Sequence, residues 1–328
     1  MAVHIFVVNR ENFDICIQKG LAAIPSAKAE SKNKANTNDQ LISRMSSIRK
    51  GDLILFYITK EKLIYGIYKV VECPFYDETP VWRSANTQIY PFRIRIDNSQ
   101  YVFKNPIGLS DIYDLRDNNT IWTFNLGNYP RVNSMFSISE VEYRYVFELF
   151  LKANRIIQQP CHIKEPYRHI EPNITNYLTL NDRHQPKYEA TLTAFLMQQL
   201  SKNKYCDVFG EYSDYLAYVP TSFGKEIDVV LFHSDPENLA NILAYSIVEL
   251  KRDKLDEQGL SQLLMYEDWF LKKRVGGDSR AIRTFAIASK FTDGVISYLQ
   301  KREQLESKKV TLLTYNLIEN ELEIVPYN

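Results

Sequence analysis

The 328-residue chain has only four cysteines, Cys16, Cys73, Cys161 and Cys206, and no two stand at C-x-x-C spacing. That scatter excludes a sequence-readable zinc site or disulfide framework, so they read as reduced core or surface thiols. Charge of either sign is also missing in net, since 40 Lys and Arg balance 40 Asp and Glu. A generally basic nucleic-acid coat is excluded, but a phosphate backbone needs only a local basic surface. Lys28, Lys32, Lys34, Arg44, Arg49 and Lys50 are candidates in one half, and Lys272, Lys273, Arg274, Arg280 and Arg283 in the other. No apolar run is long enough to cross a bilayer and no basic start leads into an apolar signal segment, so a soluble cytoplasmic protein without membrane contact is expected. No internal repeat or low-complexity tract is present.

What is present is an ordinary globular composition, 45% apolar, on a chain longer than one hydrophobic core usually serves. Residues 139–154 have helical periodicity, and the stretch after them brings Pro160, Pro166, Pro172 and Pro186 with few apolar clusters. This predicts a domain over 1–155, a linker over 156–186 that Tyr167, Tyr177 and Leu178 anchor in part, and a domain over 187–328. In the first, strands are expected at 3–9, 53–59, 62–71, 91–96 and 100–103, with helices at 12–19 and 40–45 and a polar loop at 28–39, making a small mixed β-barrel with flanking helices. In the second, a helix at 187–200, strands at 205–211, 226–232 and 244–251, a helix at 257–273 and a strand at 284–288 give an α/β unit of αβββαβ order.

The chemistry concentrates in two of those strands, Glu226-Ile-Asp228-Val-Val-Leu-Phe232 and Tyr245-Ser-Ile-Val-Glu249-Leu-Lys251. Alternate side chains of a strand share a face, so Glu249 and Lys251 point the same way. Two carboxylates and an ammonium in one cleft suit Mg²⁺ and the attack of water on a phosphodiester. An ion pair with no catalytic role is the other reading of Asp228 and Lys251 taken alone. Glu189 lies on the apolar side of the 187–200 helix, one turn before Leu192, where a carboxylate wants a metal or a cation. Gln262 and Tyr266 sit one turn apart on the 257–273 helix, either facing the cleft or on its surface.

The run from Lys225 to Trp269, KEIDVVLF followed by IVELKRDKLDEQGLSQLLMYEDW, resembles the PD-(D/E)xK nucleases, and among them the catalytic domain of the NucS/EndoMS endonucleases. The resemblance implies a restriction-endonuclease-like core. It also implies that Asp228, Glu249 and the Leu250 carbonyl bind Mg²⁺, for which Mn²⁺ can substitute. Lys251 would then be the catalytic lysine, Glu189 the helix acid, and Gln262 and Tyr266 the supporting pair. Ile227 stands where the superfamily name has proline.

In the first half, VVNRENFDICIQKGLAAIP, IRKGDLILFYIT, YGIYKVVECPFYDETPVW and YPFRIRI together resemble an EVE domain of the PUA-like superfamily, kin of the YTH readers. That resemblance implies a domain that holds a modified base flipped from nucleic acid. A flipped base loses stacking and pairing, which aromatic faces and matched polar groups offset. Trp82 and Trp122 are the candidate walls, with Tyr57 or Phe124 beside them and Asn9 as the amide. Each aromatic has a second reading as barrel core.

Together the halves are expected to form a modification-dependent DNA endonuclease of type IV restriction logic, reading a modified cytosine and cutting nearby in phage defence. A double-strand break would require two active sites, most simply a homodimer. The alternatives are a repair or mismatch endonuclease, an RNA-directed nuclease, and a reader whose nuclease fold is inactive.

Overall fold

The computed structural model describes residues 2–28, 30–82, 89–128, 131–158, 163, 166–168 and 173–327. They divide into two units, Met1–Leu178 and Thr179–Asn328.

Unit one runs β1 (Val3–Val8), α1 (Arg10–Lys19), β2 (Leu21–Ile24), α2 (Lys34–Met45), β3 (Leu53–Ile58), β4 (Leu63–Val70), β5 (Phe75–Tyr76), β6 (Phe92–Asn98), β7 (Ile107–Gly108), α3 (Leu109–Asp117), β8 (Gly127–Asn128), β9 (Arg131–Val132), β10 (Met135–Ile138) and α4 (Glu140–Ala153). The main sheet has the order β10-β1-β3-β4-β6-β2, with β5 added on β6 and β7 on β4. β1 and β3 pair in parallel, and the other neighbours are antiparallel. The sheet curls, so that β2 at its far end comes back beside β1.

Period-two alternation sorts the core into two faces. Val3, Ile5, Leu55 and Tyr57 join Phe124, Phe136, Val146 and Phe150 on the side of α3 and α4. Phe6 and Phe56 turn the other way, where Phe13 of α1 meets Phe56 edge-on at 5.4 Å. Asn9 caps α1 by accepting from the Asn12 amide at 2.7 Å. Gly20 ends it at φ 64°, where an added Cβ would meet the Ile96 carbonyl at 2.9 Å. Ser139 and Glu142 form a capping box on α4.

Several elements differ from expectation. Residues 100–103 form no strand; Val102 makes one isolated bridge to Gln158. The polar stretch 28–39 ends inside α2, whose Asp39, Ile42 and Met45 are buried. The short β2, β10 and α3 carry too few residues for a periodicity to show. The proline-containing segment after α4 is held on unit one as far as Leu178, where Phe75 bridges Asn173, the Tyr167 amide donates to the Lys19 carbonyl at 2.9 Å and Tyr177 stacks on Tyr76 at 3.6 Å; residues 179–186 belong to unit two, where Gln185 Nε2 donates to the Leu317 carbonyl at 3.1 Å.

Unit two runs α5 (Glu189–Ser201), α6 (Cys206–Phe209), β11 (Asp214–Pro220), β12 (Glu226–Asp235), β13 (Asn238–Leu255), α7 (Glu257–Lys273), β14 (Ile282–Phe291), α8 (Asp293–Glu306), β15 (Val310–Ile318) and β16 (Glu321–Pro326). Its sheet follows chain order, β11-β12-β13-β14-β15-β16. β11, β12 and β13 are antiparallel; β13, β14 and β15 are parallel across α7 and α8; β16 returns antiparallel.

The strand expected at 205–211 is a short helix instead, and the first strand is β11. Tyr205 packs edge-on against Phe209 at 6.2 Å, an i,i+4 contact that a helical turn makes and an extended chain cannot. Residues 233–242 extend the β12–β13 hairpin to the pair Asp235 and Asn238, with register shifts at His233 and Ser234.

Candidate functional site

β13 is buried on both faces in its middle, from Ile247 to Leu250, as a central strand should be. Its register on β12 pairs Val229 with Val248, which sets Asp228 opposite Glu249 on one face. Glu249 is 1% exposed. The Leu250 amide donates to Asp228 Oδ2 at 2.8 Å, fixing that carboxylate against the partner strand. Lys251 Nζ lies 2.9 Å from Glu249 Oε1 and 3.4 Å from Glu189 Oε2, at the first turn of α5. Gln262 Nε2 donates to Glu249 Oε1 at 3.3 Å and to the Tyr266 hydroxyl at 2.8 Å, which in turn donates to the Glu226 carbonyl at 2.9 Å.

Glu189, Asp228, Glu249, Lys251, Gln262 and Tyr266 therefore stand in one connected cluster. Helix α7 reaches it because Asp256 caps it, accepting from the Gly259 amide at 3.0 Å. A Cβ at Gly259 would sit 2.8 Å from Leu255 Cδ1 and 3.6 Å from Lys251 Cε.

The charges in this cluster do not balance comfortably. Burial, then the charge of Glu249, holds Asp228 well above the usual carboxylate range, with the Leu250 amide and Lys251 only partly offsetting them. Burial also raises Glu249 against the pull of Lys251. Burial opposes the Lys251 ammonium, but Glu249 and Asp228 outweigh it and hold its pKa above the ordinary lysine value.

One atom stays orphaned: buried Glu249 Oε2 has no hydrogen-bond partner among the described residues. A buried carboxylate oxygen without a donor is costly, and a cation is what would satisfy it. No group of three or more His, Cys, Asp or Glu arranged for a metal exists among the described residues. Any ion held by Asp228 and Glu249 would have to keep waters and take few carboxylates, as Mg²⁺ does.

In unit one the expected pocket residues do not gather. Phe124 and Tyr57, 0% and 4% exposed, are core residues on the α3 and α4 side of the sheet. Phe124 packs edge-on against Phe136 at 4.8 Å. The amides of Trp122 and Thr123 both donate to buried Glu142. Trp82 lies on the other face, beside Cys16 of α1: Tyr90 is 5.5 Å away, and the Arg93 guanidinium sits 5.2 Å from its ring. The sheet therefore separates Trp82 from Tyr57 and Phe124, and a single pocket walled by all of them is not formed.

Asn9 is exposed but spends its side-chain oxygen as the α1 cap. Its neighbour Asn12, which sequence reasoning passed over, donates to the Tyr90 hydroxyl at 3.2 Å and so belongs with Trp82. A concavity of about 780 Å³ in the same unit is walled by Tyr76, Asp77, Glu78, Tyr167 and Tyr177. Tyr167 and Tyr177 come from the proline-containing segment, which no spacing rule would have joined to the Asp77 turn.

Among the basic candidates of unit two, Lys272 pairs with Asp268 at 2.7 Å and Arg280 with Asp278 at 3.0 Å, while Arg283 donates to the Phe209 carbonyl at 3.1 Å. No helix among the described residues is long and apolar enough to cross a membrane.

An EVE domain family model matches residues 26–149, so the N-terminal region carries an EVE domain. A UPF0310 protein of Pyrococcus abyssi is 26% identical over 98 residues, covering 29% of this chain and 65% of its own. Among solved structures, a repair endonuclease from Pyrococcus abyssi is similar at 23% identity over 35% of this chain and 43% of its own, with a TM-score of 0.26. The Mmi1 YTH domain, solved in complex with RNA, is similar at 12% identity over 48% of this chain and 83% of its own, with a TM-score of 0.31. The chain thus spans just under two thirds of that UPF0310 protein and less than half of that endonuclease.

Proposed function

We propose that the chain is a Mg²⁺-dependent DNA endonuclease whose EVE domain reads a modified base, a cytosine derivative flipped from the duplex, and whose second unit hydrolyses a phosphodiester nearby. One observation carries the catalytic half: two facing carboxylates, Glu249 buried with one oxygen orphaned and Asp228 half-buried, with a lysine 2.9 Å from Glu249. Asp228 and Glu249 would hold the ion, with the Leu250 carbonyl as a further donor, and the ion would supply Lewis acidity and charge neutralisation at a phosphate.

Lys251 orients the attacking water and offsets phosphate charge. Glu189 fixes the ammonium from the opposite side at 3.4 Å, and Gln262 holds Glu249 while Tyr266 holds Gln262. The reader half rests on the EVE domain and on the Trp82, Tyr90 and Asn12 group. One such site cuts one strand, so a double-strand break takes a second copy, which favours a homodimer on DNA.

The test is cleavage by the full chain, with Mg²⁺ or with EDTA, of duplexes that are unmodified, carry 5-methyl- or 5-hydroxymethylcytosine, or contain a mismatch, with an RNA duplex alongside. Mg²⁺-dependent cutting of the modified duplexes alone is expected. Cutting confined to mismatched DNA would replace the reader logic with repair, and failure to cut any of them would remove the nuclease reading.

A further inference from the structure

Beside the carboxylate cluster, the β11–β12 hairpin ends in Thr221-Ser-Phe-Gly-Lys225, whose residues 222–226 are all exposed. The turn is closed by hydrogen bonds between its ends, Thr221 N to Lys225 O at 2.9 Å and Thr221 Oγ1 to Lys225 O at 2.8 Å. Ser222 Oγ anchors it further by accepting from Trp269 Nε1 of α7 at 2.8 Å, and Gly224 completes it at φ 77°.

That fixed turn holds Phe223 in water, 39% exposed, with its ring nearly parallel to Tyr266, 18° between planes and 6.1 Å between centroids. Tyr266 is the ring whose hydroxyl receives Gln262, the donor to Glu249. One face of Phe223 is thus backed by the site's own wall while part of the ring stays open to solvent, with exposed Lys225 two residues on. An aromatic ring held at a rim by a closed turn has already lost the freedom it would lose on stacking. A nucleobase presents a flat apolar face that any such ring can take, and a nearby cation suits the phosphate joined to it.

We propose that Phe223 is a substrate-positioning residue that stacks on an unpaired nucleobase next to the scissile phosphate, so that the nuclease unit acts on DNA that is locally unstacked. This rests on the nuclease reading above. It requires the strand at the cut to be opened, by flipping or by single-strandedness, and it accounts for a large apolar ring that no hydrophobic core uses.

The experiment uses the full chain, its F223A and F223W variants, and oligonucleotides carrying 2-aminopurine, whose fluorescence falls when it stacks, at an unpaired position. Binding is read with Ca²⁺ in place of Mg²⁺, so stacking is scored whether or not cleavage occurs. Wild type and F223W are expected to quench the probe and F223A to leave it bright. With Mg²⁺, F223A is expected to raise KM about tenfold with kcat changed less than about threefold, and F223W to restore it. Thermal unfolding of F223W should match wild type, while F223A should lose only the ring's packing on Tyr266, so F223W keeps the stacking role separable from folding. Equal quenching by F223A and wild type, or no quenching by either, overturns the stacking role. Absence of Mg²⁺-dependent cleavage by wild type while quenching persists would instead overturn the nuclease reading.

Discussion

Each unit buries carboxylates, and they are treated in opposite ways. In unit one, Asp52 accepts from the Ala2 amide at 2.9 Å, the Arg49 amide at 2.8 Å and His4 Nε2 at 3.2 Å. Glu142, 2% exposed, receives the amides of Trp122, Thr123 and Ser139 and the hydroxyls of Thr123 and Ser139. In unit two, Asp228 and Glu249 face each other, and Oε2 of Glu249 has no partner among the described residues. Saturated acids order chain ends, caps and loops. Acids left short of donors, pushed together and raised in pKa, hold free energy that only a cation or a proton releases, which is what a catalytic site keeps in reserve.

The sharpest break of that comparison is chemical. Lys251→Ala removes the ammonium proposed to orient water but leaves both carboxylates, so kcat for the proposed Mg²⁺-dependent cleavage is expected to fall by about 10²- to 10⁴-fold. Binding of DNA, followed by fluorescence anisotropy in Ca²⁺, should change little. A variant that cleaves at the wild-type rate would place the lysine outside the chemistry.

One substitution, applied to each kind of acid, should then act with opposite sign. For Asp52, burial raises the carboxyl but the hydrogen bond and charge of His4 and the Arg49 amide outweigh it, so its folded pKa lies below the usual value. Its contribution is fully present above the ordinary aspartate pKa and is lost as pH falls through the folded one. Asp52→Asn puts a donor where amides already donate, and a loss of about 3–5 kcal/mol is expected at pH 7, read by urea unfolding.

Asp228→Asn keeps an oxygen for the Leu250 amide and removes a repelled charge. Because the folded pKa of Asp228 is raised, its contribution is present below the ordinary carboxylate value and disappears as pH rises through the folded one. Without metal, the Asn variant should therefore be about 1–3 kcal/mol more stable than wild type at pH 8, with the gap closing near pH 4. A destabilised Asp228→Asn at pH 8 would show that the site is built for structure.

How much of this could be read from the sequence follows the range of the interactions. The acidic strands were legible because period two fixes Glu249 and Lys251 to one face within three residues, and the helix period does the same for Gln262 and Tyr266. The orphaned Glu249 oxygen was not, since it depends on how far Lys251 and Gln262 reach across the sheet. In unit one, Trp82 suits a pocket wall as well as a core, whereas Tyr57 reads more readily as core. The pairing of β1, β3 and β4 is what decides that Tyr57 faces the α4 core, and the helix expected at 12–19 is observed as Arg10–Lys19, capped by Asn9 and ended by Gly20. The tyrosine and cysteine of 205–211 read as strand because composition cannot register one i,i+4 contact.

The smallest expected effect separates the cluster's frame from its charges. Tyr266 is fully buried, and its hydroxyl links the Glu226 carbonyl to Gln262. Tyr266→Phe keeps the ring, and hence the backing of Phe223, while deleting both bonds; about 0.5–1.5 kcal/mol of stability should be lost. Gln262, freed of one partner, still reaches Glu249 at 3.3 Å, so the carboxylate stays in place but its amide is less constrained. Cleavage should therefore slow by roughly tenfold or less, far from the loss caused by Lys251→Ala. If Tyr266→Phe were as damaging as Lys251→Ala with stability intact, the hydroxyl itself would have to act on substrate, and the division between frame and charge would fail.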